Sequence, residues 1–366
     1  MMTLQYESTD SATDTPATGS ADNPADDGAV LIEHVRRSLI AANALGFDAA
    51  QLTIDPILNW GGFVNRSFRL SDGRLTAVLK LASSPESRLD LERWRSLAGV
   101  LARHYHAPRM LAWIDVEIID SAGPVFEWAK GTTPEQLDSV PLDAMRAVLD
   151  KLHSDARLAA ALVNLGDPVQ SCHHAYRRCY HRRFTSDLEF IAATPPPFVT
   201  AAALEWMYAE VAFLEREISA SAAFAEPADR PVHGDLWLNN LIVGPTSWHI
   251  LDWDGLMLGD PAMDWAMFFG PTRLQLRPSR SAADYAVSLG PGARQRLRWY
   301  GRASALDWII DPLADWVQSW NEPFHGESIR IANERVHREA MASYNTRYGT
   351  NAVDGFHAGG SSAPRP

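Results

Sequence analysis

Leu241-Ile-Val243 and His249-Ile-Leu251 are short apolar runs separated by a turn-like Gly244-Pro-Thr-Ser-Trp248, the pattern of a β-hairpin. Pairing 241–243 antiparallel with 249–251 sets Asn240 across from Asp252, and directly opposed residues in such a ladder sit roughly 4.5–5.5 Å apart at Cα. Further upstream, Leu58 to Leu70 reads as strand, glycine turn, strand about Gly61-Gly62, and Leu75 to Ala82 is a β-prone run carrying Lys80. Glu86 to Leu97 has helical spacing, with Leu89 and either Trp94 or Leu97 on the apolar face. Pro108 precedes an apolar strand around Met110 to Ile114. Asp307, Asp311 and Asp315 recur every four residues, so a helix would place them on one face, with Pro312 starting or kinking it.

Composition changes this picture mainly at the ends. The chain has 366 residues, 46% hydrophobic and 21% charged, which suits a soluble globular protein large enough for two lobes. Its formal charge of −12 is uneven: Glu7, Asp10, Asp14, Asp22, Asp26 and Asp27 lie in residues 1–28, which carry no Lys or Arg. That segment reads as a disordered acidic tail, as does the Gly/Ser/Pro-rich stretch 349–366. No signal peptide or membrane span is read, and no basic stripe suggests nucleic acid, so a cytoplasmic protein is expected. Cys172 and Cys179 match no standard zinc spacing and are read as reduced and structural.

The chemistry centres on His233-Gly-Asp235-Leu-Trp-Leu-Asn-Asn240 and, twelve residues on, Asp252. An amide oxygen and a carboxylate at the open end of a hairpin can hold one hard cation. Mg²⁺ fits best, because it takes oxygen ligands and brings phosphates with it. Asp235, on the same loop, would face whatever the metal-bound phosphate reacts with, which is a phosphoryl-transfer constellation.

His-x-Asp-x-x-x-x-Asn followed by a strand-borne Asp resembles the catalytic loop and metal-binding Asp of protein kinases. Gly234 stands where protein kinases usually carry Arg, and Asp252-Trp-Asp254 where they carry Asp-Phe-Gly. Both features, and the continuation Gly259-Asp-Pro-Ala-Met-Asp264-Trp-Ala266, resemble the aminoglycoside phosphotransferase and choline kinase family of small-molecule kinases. The resemblance implies an α+β, bilobal protein-kinase-like fold: a small antiparallel β-sheet N-lobe (29–128) and a larger, mainly helical C-lobe (129–348).

It further implies ATP and Mg²⁺, with the phosphates under Gly61 and Gly62 in a Gly-Gly-x-x-Asn65 loop similar to that of choline kinases. Lys80 would neutralise the α/β-phosphates, oriented by Glu92, with Asp90 and Glu86 as alternatives. The stretch through Glu127 and Trp128 resembles the linker whose backbone binds adenine, and Leu152-His153 the family's Leu-His helix end. Asn240 and Asp252 would bind Mg²⁺, Asp235 would act on the acceptor hydroxyl, and His233 and Asp264 would support the loop. Asp254 and Asp260 would be secondary groups or a helix cap.

The partner expected is a small-molecule hydroxyl acceptor, met by a monomer or homodimer. Antibiotics, amino sugars, sugars and choline-like alcohols all remain open. Trp, Phe and Asp residues after Asp264 suit an amine, while the interspersed arginines argue against a dedicated polycation site. The rivals are a metal-dependent phosphohydrolase using His233, Asp235, Asp252 and Asp254, and a catalytically silent ATP-binding regulator. Protein kinase activity is disfavoured, because there is no Ala-Pro-Glu motif and residues 255–264 leave little room for a long activation segment before the next helix.

Overall fold

A computed structural model describes residues 24–43, 45–58, 64–134, 140–269 and 292–350. Gly61 and Gly62, and most of both predicted tails, lie outside the described residues. Helix α1 (Pro24–Ala42) begins inside the stretch 1–28 read as a tail.

Five strands form one antiparallel sheet in the order β1-β2-β3-β5-β4. They are β1 (Thr53–Pro56), β2 (Asn65–Ser71), β3 (Thr76–Ala82), β4 (Met110–Val116) and β5 (Ser121–Glu127). Alternate residues of a strand share a face, and here Phe68, Leu70, Ala77, Leu79, Leu81, Ile114 and Val125 join Leu31, Val35 and Leu39 of α1 in one apolar cluster. Gly123 lets β5 lie close to Lys80, since a Cβ at that position would stand 1.8 Å from the Lys80 carbonyl oxygen.

Helix α2 (Pro85–His104) follows β3 and starts on a capping box in which Ser84 accepts from Ser87 N–H, with Pro85 in the first turn. Its buried face is Leu91, Trp94, Leu97, Ala98 and Leu101. Leu89, expected on that face, is 66% exposed, because it stands two residues from both Ser87 and Leu91 and so falls on the side of the helix away from the buried stripe.

The remainder is mainly helical: α3 (Leu142–His153), α4 (Ala156–Asn164), α5 (Cys172–Tyr176), α6 (Arg182–Ala193) and α7 (Ala201–Ser219). Three further helices follow, α8 (Pro261–Phe268), α9 (Ala293–Gln318) and α10 (Gly326–Tyr348). A π-helical turn, Arg177–His181, joins α5 to α6. Helix α9 continues past Pro312, which lies inside it, and packs along α6, α8 and α10. Among the described residues no helix is long and apolar enough to cross a membrane.

Short strands carry the functional loops. They are β6 (Gln170–Ser171), β7 (Pro227–Ala228), β8 (Arg230–Val232), β9 (Leu241–Val243), β10 (Trp248–Ile250) and β11 (Met257–Gly259). The predicted hairpin exists, but its register differs by one residue. Gly244 N–H donates to the Ser247 carbonyl, which closes the turn a residue earlier and pairs Val243 with Trp248. Asn240 therefore lies opposite Leu251, whose N–H donates to its carbonyl at 2.7 Å, and Asp252 falls one place beyond the ladder.

The two parts are tied at several points. Thr132, just past β5, bridges to Val243 of the hairpin through both backbone bonds, at 3.1 and 2.9 Å. From the C-terminal side Phe324 enters the sheet's apolar cluster and meets Phe68 edge-on at 6.0 Å.

Candidate active site

The loop from His233 to Asn240 hangs between β8 and β9 and is held from below by one buried carboxylate. Asp264, in the first turn of α8, accepts from His233 N–H (2.9 Å), Gly234 N–H (3.0 Å) and His153 Nε2 (2.9 Å). Burial raises the Asp264 pKa, but the His153 hydrogen bond and the other donors outweigh it, leaving the carboxyl below its ordinary value. Helix α8 is placed by Asp260, which caps it through Ala262 N–H, with Pro261 in the first turn. The expectations for Asp264 as a brace and Asp260 as a cap match this geometry, and His153 acquires a structural role as Asp264's partner.

His233 is fully buried with both ring nitrogens engaged. Nε2 meets the Leu251 carbonyl at 2.8 Å and so carries the proton, while Nδ1 accepts Asp235 N–H at 3.2 Å. Gly234 is required twice over: its φ is +83°, and a Cβ would stand 2.4 Å from the Gly255 carbonyl oxygen. The loop thereby turns sharply and presents Asp235. Asn240 Nδ2 donates to both the Asp235 carboxylate and its carbonyl, at 2.8 Å each. Burial, with the neighbouring Asp252 and Asp254 carboxylates, raises the pKa of Asp235.

Lys80 projects from β3 beneath the sheet and is 6% exposed. Its Nζ lies 2.9 Å from Asp254 and 3.0 Å from Asp252, and 5.6 Å from the centre of the Trp94 ring. Burial alone would lower the lysine pKa; the two carboxylates reverse this and raise it above normal. Asp252 adopts a left-handed backbone (φ +56°), a strained conformation for a non-glycine residue and one found at functional sites.

Glu92 does not hold Lys80 here. It faces out one turn from Arg88, whose Nε donates to it at 3.2 Å. Of the alternatives on α2, Asp90 is the one that lines the site. The residue that sequence reasoning undervalued is Asp254, which also accepts from Asn65 Nδ2 at 2.9 Å and so joins the first residue of β2 to the catalytic end of the molecule. Its signal was the second Asp of Asp-Trp-Asp, in the place of a glycine. Asn65 Oδ1 is buried with no hydrogen-bond partner among the described residues.

Two cavities meet at this cluster. One, about 340 Å³, is bounded by Val78, Lys80, Phe126, Glu127, Trp128, Asn240 and Asp252, so the predicted linker residues do line it. The Glu127 carboxylate accepts Arg109 N–H at 3.0 Å, and Trp128 is 40% exposed. The second, about 540 Å³, is bounded by Asp235, Trp237, Arg183, Asp307, Trp308 and Asp311. The three aspartates of α9 do share a face: Arg183 of α6 pairs with Asp307 and with Asp311 (2.9 Å), and Asp315 lies buried behind. Burial, against the pull of Arg183, pushes Asp311 up to about 7.

A cation is favoured beside Asp252 and Asp254, since both already converge on one ammonium. Asn240 commits its amide nitrogen to Asp235, which leaves its carbonyl oxygen as the metal-competent atom. Asn240 and Asp252 together offer oxygen donors only, the set Mg²⁺ prefers. No group of three or more His, Cys, Asp or Glu residues is arranged to hold a metal among the described residues. Cys172 lies buried in the large core, and Cys179 borders the second cavity.

A bilobal fold with a buried strand lysine, a braced His-Gly-Asp loop and paired acidic groups between two cavities defines a small-molecule kinase architecture. The model of the phosphotransferase enzyme family matches residues 57–300, and the chain belongs to that family, which includes the aminoglycoside phosphotransferases. Among solved structures it is similar to a putative aminoglycoside phosphotransferase from Ralstonia eutropha JMP134, at 19% identity and a TM-score of 0.50, covering 85% of this chain and 98% of that one. The GDP complex of wild-type aminoglycoside 2'-phosphotransferase-IIIa shares the fold at 12% identity and a TM-score of 0.56, covering 85% and 99%. So does the ternary complex of a thermostable mutant of aminoglycoside phosphotransferase APH(4)-Ia with AMP-PNP and hygromycin B, at 17% identity and a TM-score of 0.51, covering 86% and 99%. No curated protein matched the chain.

Proposed function

We propose that this protein transfers the γ-phosphate of ATP to a hydroxyl of a small molecule. The observation that carries the reading is the division of the charged cluster between two cavities. Asn240 borders only the one beside the interlobe linker and Asp235 only the other, while Lys80 and Asp252 stand where the two meet. Donor and acceptor would then enter from separate sides and meet at the catalytic loop. The ligands named for two similar structures, GDP in one and AMP-PNP with hygromycin B in the other, agree with such a division.

In this reading Lys80 neutralises the α/β-phosphates, and Gly61, Gly62 and Asn65 cover them. Glu127 and Trp128 flank the base, and Asn240 and Asp252 hold Mg²⁺. When bound, that ion supplies charge neutralisation on the β- and γ-oxygens. Asp235 orients the acceptor hydroxyl through its carboxylate, itself fixed by Asn240, and takes the proton late. Asp254 keeps Lys80 in place, and His233 holds the loop. The acceptor is an antibiotic, amino sugar, sugar or choline-like alcohol, handled in the cytoplasm by a monomer or homodimer.

The phosphohydrolase alternative loses support at His233, whose ring nitrogens are both committed to the backbone and have no capacity for metal or proton transfer. Calorimetric titration with ATP, with and without Mg²⁺, tests the proposal. Mg²⁺-dependent binding is expected, and a chain that binds no ATP would refute it.

A further inference from the structure

The catalytic loop crosses from one cavity to the other within six residues. Asp235 borders only the acceptor-side cavity, and Asn239 and Asn240 border only the nucleotide-side one. Trp237, between them, borders both, as among the described residues only the charged pair Lys80 and Asp252 otherwise do. Its backbone is extended (φ −136°, ψ 170°), and its carbonyl accepts Asn240 N–H at 3.0 Å, so the turn that aims Asn240 also fixes the Trp237 main chain. The ring meets Trp308 of α9 edge-to-face, with centroids 5.2 Å apart and planes at 72°. Trp308 borders only the acceptor-side cavity.

None of the proposed chemistry needs an indole at this position. What the chemistry does need is protection: Asp235 will activate whichever hydroxyl stands beside it, and water is smaller and far more concentrated than any acceptor. A broad apolar side chain where the cavities join removes space for water next to the transferred group.

We propose that Trp237, braced by Trp308, is the partition that keeps water off the γ-phosphate, a positioning residue that favours transfer over hydrolysis. The inference rests on the phosphotransferase reading above. The reaction it suppresses is attack of a water oxygen on the γ-phosphorus. The bond to the bridging β,γ-oxygen breaks, ADP leaves, the water proton passes to Asp235, and inorganic phosphate is released.

The test needs no acceptor. Phosphate release from ATP and Mg²⁺ is measured for the full chain beside the calorimetric Kd for ATP. Trp237→Ala should raise hydrolysis per bound ATP by about tenfold or more, with the Kd within about threefold of wild type. Trp237→Phe, which keeps a flat apolar ring, should restore low hydrolysis, and Trp308→Ala should leak to an intermediate degree. Adding Asp235→Ala to Trp237→Ala should abolish the leak. Hydrolysis that is unchanged or lowered in Trp237→Ala while ATP still binds would overturn the proposal, since a merely structural tryptophan gives loss and never gain. A leak in Trp237→Phe equal to that of the alanine variant would also overturn it. A wild-type chain that binds no ATP removes the premise with the proposal, and the calorimetry identifies that case by itself.

Discussion

At the scale of single residues, Lys80 is the clearest instance of chemistry anticipated with the wrong partner. A lysine among strand apolar residues must have an anion, and this much follows from the sequence. Which anion does not follow, because side-chain direction on α2 depends on how that helix is rotated against the sheet. Trp94 and Leu91 take the buried stripe, which turns Glu92 outward to Arg88 and leaves Asp252 and Asp254 on the lysine. Asp254→Asn should therefore weaken ATP binding roughly tenfold, about one charge-assisted hydrogen bond. Glu92→Gln should leave it within about twofold. Calorimetric Kd values decide this, and the reverse pattern would return Glu92 to the lysine.

At the scale of elements, β3, α2 and the β9–β10 hairpin were legible from their patterns, whereas the hairpin's register and most of the helices were not. The β9–β10 hairpin was foreseen from its two apolar runs, yet a four-residue turn replaced a five-residue one and moved every pairing by one place. Asn240 and Asp252 nevertheless border one cavity, because Asp252 leaves the ladder in a left-handed conformation. The His233–Asn240 loop depends on an element far away in sequence, since Asp264 of α8 gathers His153 of α3 and the His233–Gly234 backbone. Asp264→Ala strands those donors and should cost roughly 3–5 kcal/mol, about 4–7 °C in Tm for a chain of this length, which thermal unfolding would register. A drop below about 2 °C would mean that the brace is dispensable. The packing of α9 on α10 should show in the pH dependence of stability. Burial pushes His337, whose Nδ1 meets the Ile309 carbonyl at 2.7 Å, down to about 4. The unfolded chain binds a proton near pH 6.5 and the native one does not, so this contribution is complete above about pH 6.5 and is lost as pH falls towards 4. His337→Gln should flatten that limb of the Tm–pH curve, and an unaltered slope would exclude His337 as its source.

At the scale of the whole molecule, order along the chain carried more information than any single motif. A strand lysine, then a His-Gly-Asp loop, then Asp-Trp-Asp, then a capped helix is the order of parts that the fold brings together around Lys80, Asp235, Asp252 and Asp264. The ties between sheet and helical part were not legible: Asn65 reaches Asp254 across 189 residues, and Phe324 enters the sheet's core from near the far end of the chain. Such contacts leave no local periodicity to read. The acceptor was not legible either, because Asp307 and Asp311, which suggested an amine site, are met by Arg183 from another helix. The central claim is γ-phosphate transfer to a small-molecule hydroxyl with Asp235 as the base. The most direct measurement is ADP release by purified protein with ATP and Mg²⁺ across aminoglycosides, macrolides, amino sugars, maltose, choline and homoserine, run beside Asp235→Ala. Release that depends on one acceptor class, with kcat lowered roughly 10²–10⁴-fold in the variant and ATP affinity retained, is the predicted result. Acceptor-dependent release that survives undiminished in Asp235→Ala would contradict it.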